Sequence, residues 1–120
     1  MIKVVLDTNI LVSALLSYGP PAVITDMVAE IKLIPVHNET IIGEYWNVLQ
    51  RKKFGFSPYQ VNRLIGDIIR VGIATEIKVV SKFPKELFVV TPAEFLRMFY
   101  EQNEKKNIIC CILNHLFIGE

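Results

Sequence analysis

Cysteine is nearly absent from the chain. The 120 residues contain two, and Cys110 and Cys111 are adjacent, which is no disulfide framework. A small secreted scaffold held by disulfides is excluded, and with no signal peptide at the start the expectation is a reducing, cytoplasmic setting. Charge of one sign is equally scarce. Thirteen basic and 12 acidic residues leave a net +1, so no global field marks nucleic acid or membrane as partner. Any nucleic-acid contact has to be local. Long hydrophobic runs are missing too: the uncharged apolar stretch 107–119 is too short for a bilayer and is broken by Asn114 and His115. His115 stands alone, without the spacing to either cysteine that a zinc site needs. Repeats and low-complexity segments are absent. What is present, 52% hydrophobic and 21% charged residues, suits a single packed domain over 1–120.

The rest of the chain is organised around Lys3-Val4-Val5-Leu6-Asp7-Thr8-Asn9. Its β-branched run reads as a strand buried on both faces of a parallel sheet. In open α/β sheets ligands collect at the carboxyl ends of the strands, which is where Asp7 falls. The plainer reading is a turn with a helix cap, since Asp, Thr and Asn favour both. Asn9 is then the expected cap of an apolar helix over 10–16. Gly19-Pro20-Pro21 breaks the chain and opens a second helix with Val23, Ile24, Met27, Val28 and Ile31 on one face.

A second strand is expected over 33–36, weakened by Pro35, which has no donor for a sheet ladder. Asn38 is the expected cap of a third helix whose apolar face is Ile41, Tyr45, Val48 and Leu49. Glu44 lies along the edge of that face, either half-buried toward a crevice or an ordinary surface glutamate. Trp46 suits core or rim. Arg51-Lys52-Lys53 is the densest basic cluster, simplest as solvated helix-end charges, otherwise a phosphate contact. Ser57-Pro58 starts a fourth helix with the stripe Val61, Leu64, Ile65, Ile68 and Ile69, ended by Gly72. A short strand over 75–80, a polar loop over 81–86 and a strand over 87–90 follow. Thr91-Pro92-Ala93-Glu94 is a capping box before Phe95, Leu96, Phe99 and Tyr100. The tail 108–120 reads as an extra packed or frayed helix. Strands alternating with helices mean an α/β domain with a mainly parallel sheet.

Three stretches resemble the PIN-domain family, and within it the toxin components of bacterial and archaeal toxin–antitoxin systems. They are Val4 to Leu16 with the following Gly19-Pro20-Pro21-Ala22, the helix Glu39 to Leu49 with Arg51 and Phe54, and the junction Val89-Val90-Thr91-Pro92-Ala93-Glu94-Phe95-Leu96. The resemblance covers residues 1–100 and leaves 101–120 as an extra helix or tail. It implies a three-layer, Rossmann-like fold and a metal-dependent endoribonuclease using Mg²⁺ or Mn²⁺. A hard cation held by oxygen ligands neutralises the scissile phosphate and acidifies the attacking water. Asp7 matches the family's first metal-binding carboxylate and Glu44 the second. Thr8 and Asn9 match neighbouring positions that orient ligands or the phosphate. The implied partners are an RNA substrate, a cognate antitoxin and a second copy of the chain, with no membrane.

The departure from the family lies downstream. The family carries two further acidic clusters before its last strand, one of them an aspartate after Thr-Gly. No aspartate follows Asp67 in this chain. The expectation is a PIN-like domain lacking one strand and one helix, with a gap beside the first strand that the tail or a second subunit would cover. Asp7 and Glu44 are then the surviving ligands of a weak single-metal site. The rival reading is a catalytically inactive PIN-like module that binds an antitoxin or itself. A phosphotransferase using Asp7 as nucleophile ranks last, because the second acid such enzymes place two residues later is Asn9 here.

Overall fold

The computed structural model describes residues 2–74, 87–101 and 109–112. In chain order these form β1 (Lys3–Leu6), α1 (Thr8–Leu16), α2 (Pro20–Ala29), β2 (Ile34–His37), α3 (Glu39–Leu49), α4 (Pro58–Val71), β3 (Ile73–Ala74), β4 (Leu87–Val90), α5 (Pro92–Glu101) and β5 (Ile109–Ile112). The strands make one sheet of order β3-β2-β1-β5-β4, with every neighbouring pair parallel. The chain is α/β, as the alternation of elements requires. The expected strand over 75–80, the loop over 81–86, and His115 with the end of the tail lie outside the described residues.

The tail departs from expectation. Residues 109–112 are a strand, not part of a helix, and they pair with β1 from Lys3↔Ile109 to Leu6↔Ile112 and with β4 from Leu87↔Ile109 to Val90↔Ile112. The place beside β1 that the tail or a second subunit was to cover is filled by this chain's own tail. The run Ile109-Cys110-Cys111-Ile112 has no polar side to turn to water, and such a run is at home in the middle of a parallel sheet. Val4 and Leu6 in β1 are buried, while Lys3 and Val5 are only half-buried, so β1 is closed more tightly on one face than the other.

Pro35 sits in an interior strand, and the hydrogen-bond pattern shows why it is tolerated. The Ile34 N–H donates to the Ile2 carbonyl at 3.0 Å, so the nitrogen of the next residue faces away from β1. On that side β3 begins only opposite Val36, leaving Pro35 with no carbonyl to serve. Gly72, at the end of α4, is fixed by a close approach: a Cβ there would run into the carbonyl oxygens of Ile68 and Pro35 and crowd the His37 ring.

The helices bury the predicted stripes in part. Ile24, Met27 and Val28 of α2, Val61, Ile65 and Ile68 of α4, and Phe95 of α5 join Val4, Leu6, Ile10 and Leu11 in one core. Ile69 and Tyr100 are exposed, and so is Ile31, which lies beyond α2 rather than on its face. The end of α2 is a Schellman turn. Lys32 N–H donates to the Met27 carbonyl at 2.8 Å and Ile31 N–H to the Val28 carbonyl at 2.9 Å. Ile31 occupies the left-handed position at φ 61°, where a β-branched residue is strained.

Candidate functional site

The chain leaves β1 on one side for β2 and β3, then returns on the other as β4 and β5. The carboxyl end of β1, the central strand, lies on the edge of the sheet where open α/β folds build ligand sites. Asp7 stands there. Its N–H donates to the Ile112 carbonyl at 3.0 Å, which ties it to the end of β5. Asp7, not Asn9, is the N-cap residue of α1, because the helix begins at Thr8. It caps with its backbone: the Asp7 carbonyl accepts from Ile10 N–H at 2.9 Å, while the side chain makes no capping hydrogen bond. The half-buried carboxylate is therefore not spent on the helix. Thr8 is buried at 6% exposure, and Asn9 is exposed beside it.

Glu44 reaches the same region by way of its neighbour in the chain. The Tyr45 hydroxyl donates to the Leu6 carbonyl at 2.6 Å, in a contact both partners bury. Leu6 immediately precedes Asp7 and Tyr45 immediately follows Glu44, so this bond clamps α3 to the strand end that carries Asp7. Glu44 itself is exposed, not half-buried as one reading of its spacing had it. With Tyr45 and Leu49 turned fully into the core, the adjacent position faces solvent. Asn38 caps α3 as expected, its side chain accepting from Ile41 N–H at 2.8 Å.

Two residues escaped the sequence reading. Tyr45 was counted only as an apolar face member, yet a tyrosine at a fully buried position needs a partner for its hydroxyl, and that requirement is legible. His37 closes β2 at 8% exposure, with its Nε2 atom lacking a hydrogen-bond partner among the described residues. Nothing in its spacing marks it.

Glu94 and Thr91, at the end of β4, form the reciprocal pair expected there. Thr91 N–H and the Thr91 hydroxyl lie 3.0 and 2.9 Å from one Glu94 oxygen, and Glu94 N–H lies 3.2 Å from the Thr91 hydroxyl. The Thr91 backbone bond, then its hydroxyl, hold the Glu94 carboxyl below the usual glutamate range, with a smaller pull from Arg97.

The site is thus a carboxylate free of any capping bond at the carboxyl end of the central strand of a parallel α/β sheet. The chain belongs to the PIN-domain family, whose model matches residues 3–86. That match takes in Asp7, Thr8, Asn9 and Glu44 and stops short of the β4–α5 junction and of β5. No curated protein and no solved structure matches the chain. The family's fold is a nuclease fold in general, and PIN domains are typically dependent on a divalent metal. The donor set here fits such an ion: hard carboxylate oxygens, one of them free of any capping bond, at the sheet edge. Among the described residues no group of three or more His, Cys, Asp or Glu side chains gathers in one place. Magnesium is commonly held by one or two carboxylates completed by water and substrate phosphate, so a pair suffices for a weak site. Among the described residues no single helix is long and apolar enough to cross a membrane.

Proposed function

We propose that the chain is a metal-dependent endoribonuclease cutting single-stranded RNA, the cytoplasmic toxin of a toxin–antitoxin pair, with activity limited by its short acidic set. The observation that carries this reading is the Asp7 carboxylate, free of any capping bond at the end of the central strand of a PIN-domain sheet, with α3 clamped beside it through Tyr45. Bound Mg²⁺ or Mn²⁺ supplies charge neutralisation at the scissile phosphate and a water acidified for attack on phosphorus. Asp7 and Glu44 are the residues that would hold it. Thr8, buried under the site, orients Asp7, and the exposed Asn9 amide is placed to donate to a phosphate oxygen. The amino termini of α1, α3 and α5 all open at this edge of the sheet, which favours an anionic substrate.

The test is cleavage of a mixed single-stranded RNA pool with Mn²⁺, with and without chelator, beside Asp7→Ala. Chelator-sensitive cleavage lost in the variant supports the reading; cleavage unchanged in the variant overturns it. The second reading, an inactive PIN-like module binding an antitoxin or another copy of itself, draws on the absence of a larger acidic group among the described residues. A folded chain that neither cleaves RNA nor binds Mn²⁺ by calorimetry would establish that reading instead.

A further inference from the structure

The turn between α3 and α4 joins two features that the metal site does not use. Arg51, Lys52 and Lys53 are all exposed, and among the described residues none of them forms an ion pair. Directly after them Phe54 and Phe56 stack with ring centroids 5.4 Å apart and planes 11° from parallel, across Gly55 at φ 65°. Lys53 Nζ lies 5.1 Å from the Phe54 ring centre, so Lys53 is held against the aromatic pair. Beside them a cleft of about 430 Å³ opens between α3 and α4, with Trp46 and Phe56 as aromatic walls and Gln50 and Asn62 as polar lining.

We propose that this cleft is a subsite for an unpaired base of single-stranded RNA, with Arg51, Lys52 and Lys53 holding the flanking phosphates. Aromatic walls accept any base by stacking, and exposed amides such as Gln50 and Asn62 can both donate to and accept from a base edge. Arg51, Lys52 and Lys53, exposed and without an ion pair among the described residues, complement a phosphate backbone, whereas a folded protein partner would have to supply a matching acidic patch. Arg51 lies two residues beyond the end of α3 and seven after Glu44, roughly 10 Å at the helical rise, so phosphates at the cluster lie within a few nucleotides of the candidate metal site. The choice of RNA over DNA rests on the ribonuclease reading above.

Trp46 is the only tryptophan in the chain, which makes its emission a direct report of the cleft. The probe is an oligouridylate of about ten nucleotides, titrated in EDTA so that binding is read without cleavage, on wild type and on Asp7→Ala. Saturable quenching is expected in both, with little from duplex RNA of the same length, whose bases are already stacked on one another. Replacing Arg51, Lys52 and Lys53 together by alanine should flatten the salt dependence of binding by about two logarithmic units per decade of salt. Phe56→Ala should weaken binding about tenfold, the scale of one lost stacking partner. Asn62→Asp, at an exposed position that leaves the core intact, should also weaken it by placing an anion in the cleft. Absence of quenching, equal quenching by duplex RNA, or a cleft protected instead by a protein partner overturns the proposal. Cleavage without Trp46 quenching sinks this subsite and leaves the ribonuclease reading standing; quenching in a chain that never cleaves does the reverse.

Discussion

Two carboxylates sit at the carboxyl edge of the same parallel sheet and are treated in opposite ways. At the β4–α5 junction, Glu94 is three residues beyond its N-cap partner Thr91 and is held there by hydrogen bonds in both directions. At the β1–α1 junction the corresponding third residue is Ile10, which is fully buried and has nothing to offer in return. Helix α1 is thus anchored by driving Ile10 and Leu11 into the core, and α5 by its capping box. The difference leaves the Asp7 oxygens without a capping bond and Glu94 with one of its oxygens engaged. A carboxylate at a strand end is informative only after its hydrogen bonds have been counted.

The sharpest way to break this contrast is Asp7→Asn. The substitution removes the charge without removing any capping bond, so thermal stability should stay close to wild type. Cleavage by the proposed ribonuclease should fall on the order of a hundredfold or more, the scale of losing several kcal/mol of transition-state charge stabilisation. Thermal melts and single-turnover cleavage rates decide it. A large loss of stability with little change in rate would make Asp7 structural and Glu94 no longer its opposite.

Tyr45→Phe comes next, because it loosens the clamp without touching either acid. Removing the hydroxyl leaves the buried Leu6 carbonyl without its 2.6 Å partner. The expected cost is about 1–3 kcal/mol of unfolding free energy in urea, the penalty of an orphaned buried acceptor. Cleavage should drop as well, by less than in Asp7→Asn, since both carboxylates remain.

Glu94→Gln tests the other junction, and its effect should depend on pH. Thr91 holds the Glu94 carboxyl below the usual glutamate range in the folded chain. The charged form is the one that folding favours, so its contribution is complete above the ordinary glutamate value and disappears as pH falls through the lowered one. Wild type and Glu94→Gln should therefore differ in unfolding free energy at neutral pH and converge in acid, while cleavage at neutral pH stays near wild type. A difference that grows as pH falls would mean the Thr91 bonds do not stabilise the anion.

Much of this was readable from the chain because it rests on local rules. The cap at Asn38, the start at Ser57-Pro58 and the Thr91–Glu94 box follow from side chains three residues apart. The stripe in α4 follows from spacing, and the position of Asp7 from a strand that ends in polar residues. What escaped depends on distant partners. Nothing local reveals that the Tyr45 hydroxyl meets a carbonyl 39 residues away, or that residues 109–112 add a strand between β1 and β4. A four-residue apolar run reads equally as buried helix or buried strand, and only the sheet it joins decides. The burial of Glu44 stays open in the sequence for a related reason. Its place at the edge of a helical face left both outcomes open until Tyr45 fixed the rotation of α3.

The smallest expected effect lies at the opposite edge of the sheet, where α2 turns into β2. Ile31 holds the left-handed position of the Schellman turn, which glycine adopts without strain. Relief of that strain, about 1–2 kcal/mol, is partly offset by the extra freedom glycine has in the unfolded chain, about 0.5–1 kcal/mol. Ile31→Gly should therefore raise stability by about 0.5–1 kcal/mol and remove an exposed apolar side chain at the same time. Because the turn is at the amino end of β2, away from Asp7 and Glu44, cleavage at a temperature where both chains are folded should not change. A gain in stability with no change in rate would show that activity follows the free carboxylate and its clamp rather than overall stability. A rate that rises with stability would mean that the losses expected in Tyr45→Phe reflect partial unfolding, and the clamp would lose its separate role.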